Sequence, residues 1–429
     1  MNSLKGDIIK LIKTGFFHIF TSQVINKILL FSTVLILVRI VSKTDYGIYS
    51  YSNNIVSMFL LLNGLGAVSG LLQFGSENRK NPDKLLAYSQ FARKVGIMAS
   101  LFISLLISLY AIFIDTNIEG VTTLLLLMSF LPLTQYLYSY IEIGFRIRLQ
   151  NKLFSMLSIL NSVLVLIFTL IGATLFGITG VVVCQYIGFF LSILFAMFIA
   201  NRKGHLKNTT LKLTYKEKKQ FVKLSFISSL SNAISQMLYL IDVLIIGIII
   251  QSTLVIASYK TATVIPFAIL FIPMAIITYI YPYFASHNND REWIRSNYLK
   301  LIKGLILLNG IISIGMYIGA PWIIGFLFGD EYMSAVEPFR VLAIGYFIAA
   351  TFRIPSGNVL VTLRRVSFNF YNALISGIFN VILNVLLISK FGSIGAAYST
   401  VGVYIISSLI STIYLYKILY KDKKILPEI

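Results

Sequence analysis

Six charged side chains stand in stretches that are otherwise apolar enough to cross a bilayer: Lys27, Arg39, Asp242, Lys260, Arg340 and Arg353. A charge in hydrocarbon costs at least ~2.5 kcal/mol on insertion scales, so such a group faces protein or water and often marks a path for ions or polar cargo. Lys27 and Asp242 lie at mid-span, and Arg353 lies towards the inner part of its span. A pair formed by Lys27 and Asp242 could lock one conformation or couple transport to an ion, and a purely structural pair fits the same two residues equally well. Arg39, Lys260 and Arg340 fall near the outer ends of their spans, where snorkelling to the interface is the simpler account. Glu142, close to Arg146, reads as a solvated partner of that arginine.

Other chemistries lack their residues. His18, His205 and His287 are scattered, with none of the i, i+4 spacing of a helical metal site, so no metal is expected. The single cysteine, Cys184, excludes an internal disulfide and a cysteine-based metal centre. No G-x-x-x-x-G-K-[ST] loop is present, so nucleotide hydrolysis of the P-loop kind is not expected, and no cofactor is implied. The outer loops are too short to fold as a catalytic domain, and the chain is read as a non-enzyme.

The elements that must position these charges are membrane helices. Of 429 residues, 57% are hydrophobic and 12% charged, against about a quarter charged in a soluble domain. Apolar runs long enough to cross roughly 30 Å of hydrocarbon recur throughout. Spans are expected at about 14–40, 47–73, 88–114, 120–144, 152–174, 178–200, 222–250, 256–285, 299–327, 335–358, 366–389 and 393–418. The first lacks the short core and cleavage site of a signal peptide and is expected to remain as a helix. The net charge of +20 could suggest nucleic acid, but its distribution argues otherwise. All the lysines and arginines fall on one side of the predicted spans except Lys27, Arg39, Lys43, Lys260, Arg340, Arg353 and Lys390. By the positive-inside rule that side, with both termini, is cytoplasmic. The expectation is a multi-pass protein of the cell inner (plasma) membrane, partnered by membrane lipids and not by nucleic acid.

The polar segment Asn201–Gln220 divides six expected spans from six more. This gives an N-terminal six-helix lobe at 1–200, a basic cytoplasmic connector at 201–221 and a C-terminal six-helix lobe at 222–429. The halves echo each other: Phe176-Gly177-Ile178-Thr179-Gly180 and Phe391-Gly392-Ser393-Ile394-Gly395 each enter the last span of a half, and Ser22-Gln23 answers Ser235-Gln236. An even number of spans per half makes this a parallel repeat, with a natural cleft between two bundles. Pro266 and Pro273 share a helical face and are expected to bend the eighth span, with Pro282 further on. The pairs Gly66/Gly70 and Gly315/Gly319 are expected to serve close helix packing.

Three stretches carry a family resemblance: Arg39-Ile40-Val41-Ser42-Lys43-Thr44-Asp45-Tyr46-Gly47, Phe328-Gly329-Asp330-Glu331-Tyr332, and Asn380-Val381-Ile382-Leu383-Asn384 through Phe391-Gly392-Ser393-Ile394-Gly395-Ala396-Ala397. In order and spacing the chain resembles the Wzx-like polysaccharide-unit flippases of the multidrug/oligosaccharidyl-lipid/polysaccharide exporter superfamily. The resemblance implies an all-α integral membrane fold of about twelve helices in two six-helix lobes around a central cavity. It implies a polyprenyl-pyrophosphate-linked oligosaccharide as substrate, moved from the inner to the outer leaflet for O-antigen, capsule or exopolysaccharide assembly. A polymerase and a chain-length regulator would be the protein partners. Members are similar in having cationic cavities, which assigns Lys27, Arg353, Arg39, Lys260 and Arg340 to substrate binding and leaves Asp242 for coupling. A cation-coupled multidrug exporter, or a non-transporting scaffold of a polysaccharide-synthesis complex, are the alternatives.

Overall fold

The computed structural model describes residues 16–237 and 240–420. The regular secondary structure of the described residues is entirely helical, without strands. In chain order the helices are α1 (Phe16–Ile40), α2 (Lys43–Leu60), α3 (Ala67–Glu77), α4 (Pro82–Phe113), α5 (Val121–Met128), α6 (Leu131–Ile147), α7 (Asn151–Arg202) and α8 (Tyr215–Met237). They continue with α9 (Ile241–Ile249), α10 (Thr253–Ile269), α11 (Phe271–Ser286), α12 (Arg291–Phe328), α13 (Val336–Ile348), α14 (Ile354–Thr362) and α15 (Val366–Tyr420). Among the described residues nine helical stretches are long and apolar enough to cross a membrane. Large apolar side chains lie on the outside, Phe113 at 78%, Trp322 at 72% and Phe326 at 80% exposure. Such a surface suits lipid and not water.

Two of those stretches are not single rods. At 1.5 Å per residue, the 52 residues of α7 would overshoot a bilayer more than twofold. Instead α7 folds back at Gly177 (φ 62°, ψ −148°), which sets Gly188 against the backbone of Leu164 and Val165. α15 folds back at Gly392 (φ 59°, ψ −132°), and Ser399 Oγ donates to the Asn380 carbonyl at 3.3 Å across the turn. These backbone angles are open to glycine and closed to other residues. A Cβ at either position would meet nothing within 4 Å, so conformation and not space demands the glycine. The repeat read from FGITG and FGSIG is thus a repeat of backbone geometry. It extends to the turns before each hairpin, where Leu149 (φ 57°) and Arg364 (φ 60°) both take left-handed positions. In both, the next residue donates to the carbonyl five residues back, Gln150 to Phe145 and Arg365 to Leu360, each at 2.9 Å. That is a helix C-terminal motif usually built on glycine.

Several expected spans are interrupted, the eighth where its prolines were expected to bend it and the others where a continuous helix was expected. Between α2 and α3 the residues Gly64, Leu65 and Gly66 are all left-handed. The break is held from the side by Asn63, whose Nδ2 donates to the Pro132 carbonyl at 2.9 Å and whose Oδ1 accepts from Ser100 Oγ at 2.9 Å. Between α10 and α11 the break at Leu270 has a local cause: Pro273 has no N–H for the Ile269 carbonyl four residues back, and its ring crowds that carbonyl. Pro266 sits inside α10. The described part of the seventh span comprises α8, to Met237, and α9, from Ile241.

The chain forms two compact units, Met1–Leu240 and Ile241–Ile429. The division falls at residue 240, so α8 sits with the first unit although the polar connector precedes it. The reason is close packing: Gly66 and Gly70 present bare backbone to Ser225 and Ser229 on α8, and a Cβ at either glycine would strike Ser225. This is a small-xxx-small contact on both helices. Gly315 and Gly319 make no comparable contact, since a Cβ there would meet nothing at Gly315 and only Ile323 of the same helix at Gly319. Phe221 at the start of α8 packs on Phe74, Tyr88 and Phe91.

The connector itself is strapped to the first unit. Glu217 and Thr214 form a reciprocal cap on α8, and Lys84 Nζ lies 2.9 Å from Glu217. The Thr214 backbone N–H, then Lys84, hold the Glu217 carboxyl down at about 2. Gln90 reaches Asn208 at 3.2 Å. Gly204 ends α7, and the buried His205 packs at a tilt against Phe145, 4.8 Å between centroids. Burial, with Arg148 and Lys203 nearby, holds the His205 imidazole down at about 4. The terminal lysines Lys5, Lys10, Lys13 and Lys421 to Lys424 lie outside the described residues.

Candidate functional site

Asp242 is 2% exposed and opens the first turn of α9, where the helix N-terminus favours a carboxylate. Its oxygens are fully engaged. Oδ2 accepts from the Tyr259 hydroxyl at 2.6 Å and Thr400 Oγ1 at 2.5 Å. Oδ1 accepts from Asn384 Nδ2 at 2.7 Å and Asn380 Nδ2 at 3.3 Å. The donors come from α10 and from both arms of the α15 hairpin, so the fold-back at Gly392 is what assembles the site. All four are neutral and belong to the second unit, so Asp242 is satisfied by hydrogen bonds from its own unit. Asn380 Oδ1 and Asn384 Oδ1 are buried beside the carboxylate without a hydrogen-bond partner. A carboxylate with two spare amide oxygens can take up a proton or a small hard cation, which prefers oxygen ligands. Among the described residues no cluster of three or more His, Cys, Asp or Glu could hold a metal ion.

Arg353 lies in the same unit, at the end of a π turn over Ala349–Arg353 that links α13 to α14. Its guanidinium stands 5.3 Å from the ring centre of Tyr404. Tyr404 follows Thr400 by one helical turn on one face of α15, so a single helix face carries a donor to Asp242 and a platform for Arg353. Above the π turn, Tyr346 OH donates to Asn309 Oδ1 at 2.9 Å, and Asn309 Nδ2 reaches Thr351 Oγ1 at 3.2 Å. π turns often mark functional positions in helices.

The other four cations are placed differently. Arg340 is engaged locally, with Glu337 at 2.7 Å, the Tyr317 carbonyl at 3.3 Å and the Tyr317 ring beneath it. Lys260 is half-buried in α10, one residue after Tyr259. Arg39 is exposed in the last turn of α1, where a cation suits the helix C-terminus. Lys27 is exposed midway along α1 in the first unit. Its neighbour Asn26 donates to Ser158 Oγ at 2.8 Å. Glu142, expected to pair with Arg146, is partly buried and accepts from the Tyr138 hydroxyl at 3.4 Å.

Tyr259 and Thr400 carry no sequence signal of a site, and Asn380 and Asn384 stand out in the sequence as part of a family-like stretch, without a site role. One signal was present: Asn380 and Asn384 are spaced i, i+4 in an apolar span, which puts two amides on one face.

The sequence pattern of a family described as "Polysaccharide biosynthesis protein" matches residues 36–337. The chain belongs to this family. It is 29% identical over 176 residues to "Probable low-salt glycan biosynthesis flippase Agl15" of Haloferax volcanii, covering 41% of this chain and 37% of the relative. It is 37% identical over 97 residues to "Uncharacterized membrane protein MJ1068" of Methanocaldococcus jannaschii, covering 23% of this chain and 19% of that protein. The matched stretches therefore span about a third and a fifth of those relatives. Among solved structures, "Lipid II flippase MurJ, inward closed conformation" is similar at a TM-score of 0.72 and 16% identity, over 93% of this chain and 87% of that one. An inward-facing multidrug resistance MATE family transporter of the MOP superfamily is similar at 0.62 and 13% identity, over 90% and 94%. These likenesses establish the fold, an all-α multi-pass membrane protein of the twelve-helix type.

Proposed function

We propose that this polysaccharide biosynthesis family member is a flippase that carries a polyprenyl-pyrophosphate-linked oligosaccharide from the inner to the outer leaflet of the plasma membrane. One observation carries the reading: a chain of a polysaccharide-biosynthesis family is built almost wholly of membrane helices. The longest described stretch between helices runs only from residue 203 to 214, too short to fold as a catalytic domain. What remains for such a chain in polysaccharide assembly is movement of the lipid-linked intermediate, without enzymatic chemistry. Lys27 and Arg353 hold the anionic head group by charge-assisted hydrogen bonds. Asp242 binds the coupling proton or cation. Lys260 and Arg39 are further cations for the substrate, and Arg340 serves chiefly structure. Both termini and the connector face the cytoplasm, and a polymerase and chain-length regulator act downstream.

The test is a deletion strain. Surface polysaccharide should stop while lipid-linked units are still made and accumulate facing the cytoplasm. Failure to form the units would identify an enzyme or a synthesis scaffold, and intact polysaccharide with raised drug sensitivity would identify an exporter.

A further inference from the structure

The break between α2 and α3 stands beside a pocket of 460 Å³ inside the first unit, within the ~300–1,000 Å³ of small-molecule sites. Irregular backbone at membrane depth persists only where protein or a water-filled cavity satisfies it. The opposing wall is α8, which carries seven Ser, Asn or Gln residues between Ser225 and Gln236. Ser229, Asn232 and Gln236 recur at spacings of three and four, so they form one polar stripe, and all three line the pocket. Ser57 and Ser69 face them from α2 and α3.

The lining selects its occupant by what it contains and what it omits. The described residues that line it carry no charged side chain, so none of them neutralises a pyrophosphate. Among the described residues that line it there is no aromatic ring, the usual wall of an apolar drug site. Asn63 and Ser229 are committed, the first to Pro132 and Ser100 and the second to the Leu61 carbonyl. Asn232 and Gln236 are exposed and offer amide donors and acceptors over an apolar floor of Leu60, Leu61 and Leu240. Hydroxyl and amide groups around an apolar floor match an uncharged sugar ring, with its hydroxyls at the rim and its C–H faces inward.

We propose that this pocket is a glycan subsite, which takes an uncharged hexose or N-acetylhexosamine unit of the substrate while the cations elsewhere take the head group. The proposal rests on the flippase reading. It is tested with the full-length protein in nanodiscs by native mass spectrometry, with two probes. One is polyprenyl pyrophosphate bearing a single N-acetylglucosamine; the other is the same lipid without sugar. Wild type should bind the glycosylated lipid about tenfold more tightly. Asn232→Leu and Gln236→Leu should each reduce that ratio about three- to tenfold, the range expected for one lost hydrogen bond. Ser57→Phe, which fills the pocket, should bring the ratio close to one. A ratio unchanged in all three folded variants overturns the subsite and leaves the flippase standing. Binding of neither lipid by wild type overturns both.

Discussion

At the scale of single residues, the second unit is organised around one buried carboxylate. Asp242→Asn turns an acceptor of four bonds into a group that must present its own N–H₂ to donors. We expect a loss of about 1–3 kcal/mol, read as a lower Tm in nanodiscs, with Thr400→Val nearer 1 kcal/mol. The same variant should leave transport insensitive to the driving proton or cation gradient. Equal Tm and unchanged gradient dependence would reduce the site to packing. Arg353→Ala should abolish polysaccharide rescue at normal membrane levels. Arg353→Lys should rescue in part, because it keeps the charge but not the planar group over Tyr404. The carboxylate was legible from one charge in an apolar run. Its donors were not, because Tyr259, Asn380, Asn384 and Thr400 are neutral and lie 17 to 158 residues away along the chain. His205 gives a pH dependence of known sign. Its imidazole is held near 4 when folded and sits near 6.5 when unfolded, so the unfolded chain binds more protons between those values. Stability is full above about 6.5 and falls as pH drops towards 4. Protease sensitivity of the connector should therefore rise between pH 7 and 5 in wild type and less in His205→Phe.

At the scale of elements, two glycines do in this chain what loops do elsewhere. Gly177→Ala and Gly392→Ala each force an L-residue into a backbone region reserved for glycine, and each should lose about 1–3 kcal/mol. The two should differ in consequence. Gly392 joins the arms that carry Asn380, Asn384 and Thr400, so its variant should also lose gradient-dependent transport, whereas Gly177→Ala should lower Tm alone. Matching transport loss in both would remove that distinction. Helix number and the hairpin repeat were legible because length, hydropathy and the FG-x-x-G signature are local properties. The break at Gly64-Leu65-Gly66 was not, since glycine in a membrane span serves packing and breaking alike. Gly66 does both, taking φ 71° while it admits Ser225.

At the scale of the whole molecule, the charge distribution predicts that a cysteine at Asn208 is shielded from an impermeant reagent in intact cells and reacts after permeabilisation. Reaction in intact cells would reverse the orientation. The order in which the Asp242 shell is assembled has a consequence for synthesis. Tyr259 emerges 17 residues after the carboxylate, but Thr400 emerges 158 residues after it. At 5–20 residues per second the nascent chain waits roughly ten to thirty seconds before its last two spans arrive. For that interval α9 must rest in or beside the translocon with an acidic group served by one phenol. Ribosomes stalled there, or transcripts truncated before Asn380, should yield chains that the membrane's proteases recognise as unfinished. The carboxylate that serves the mature protein would then also act, during biogenesis, as its mark of completion.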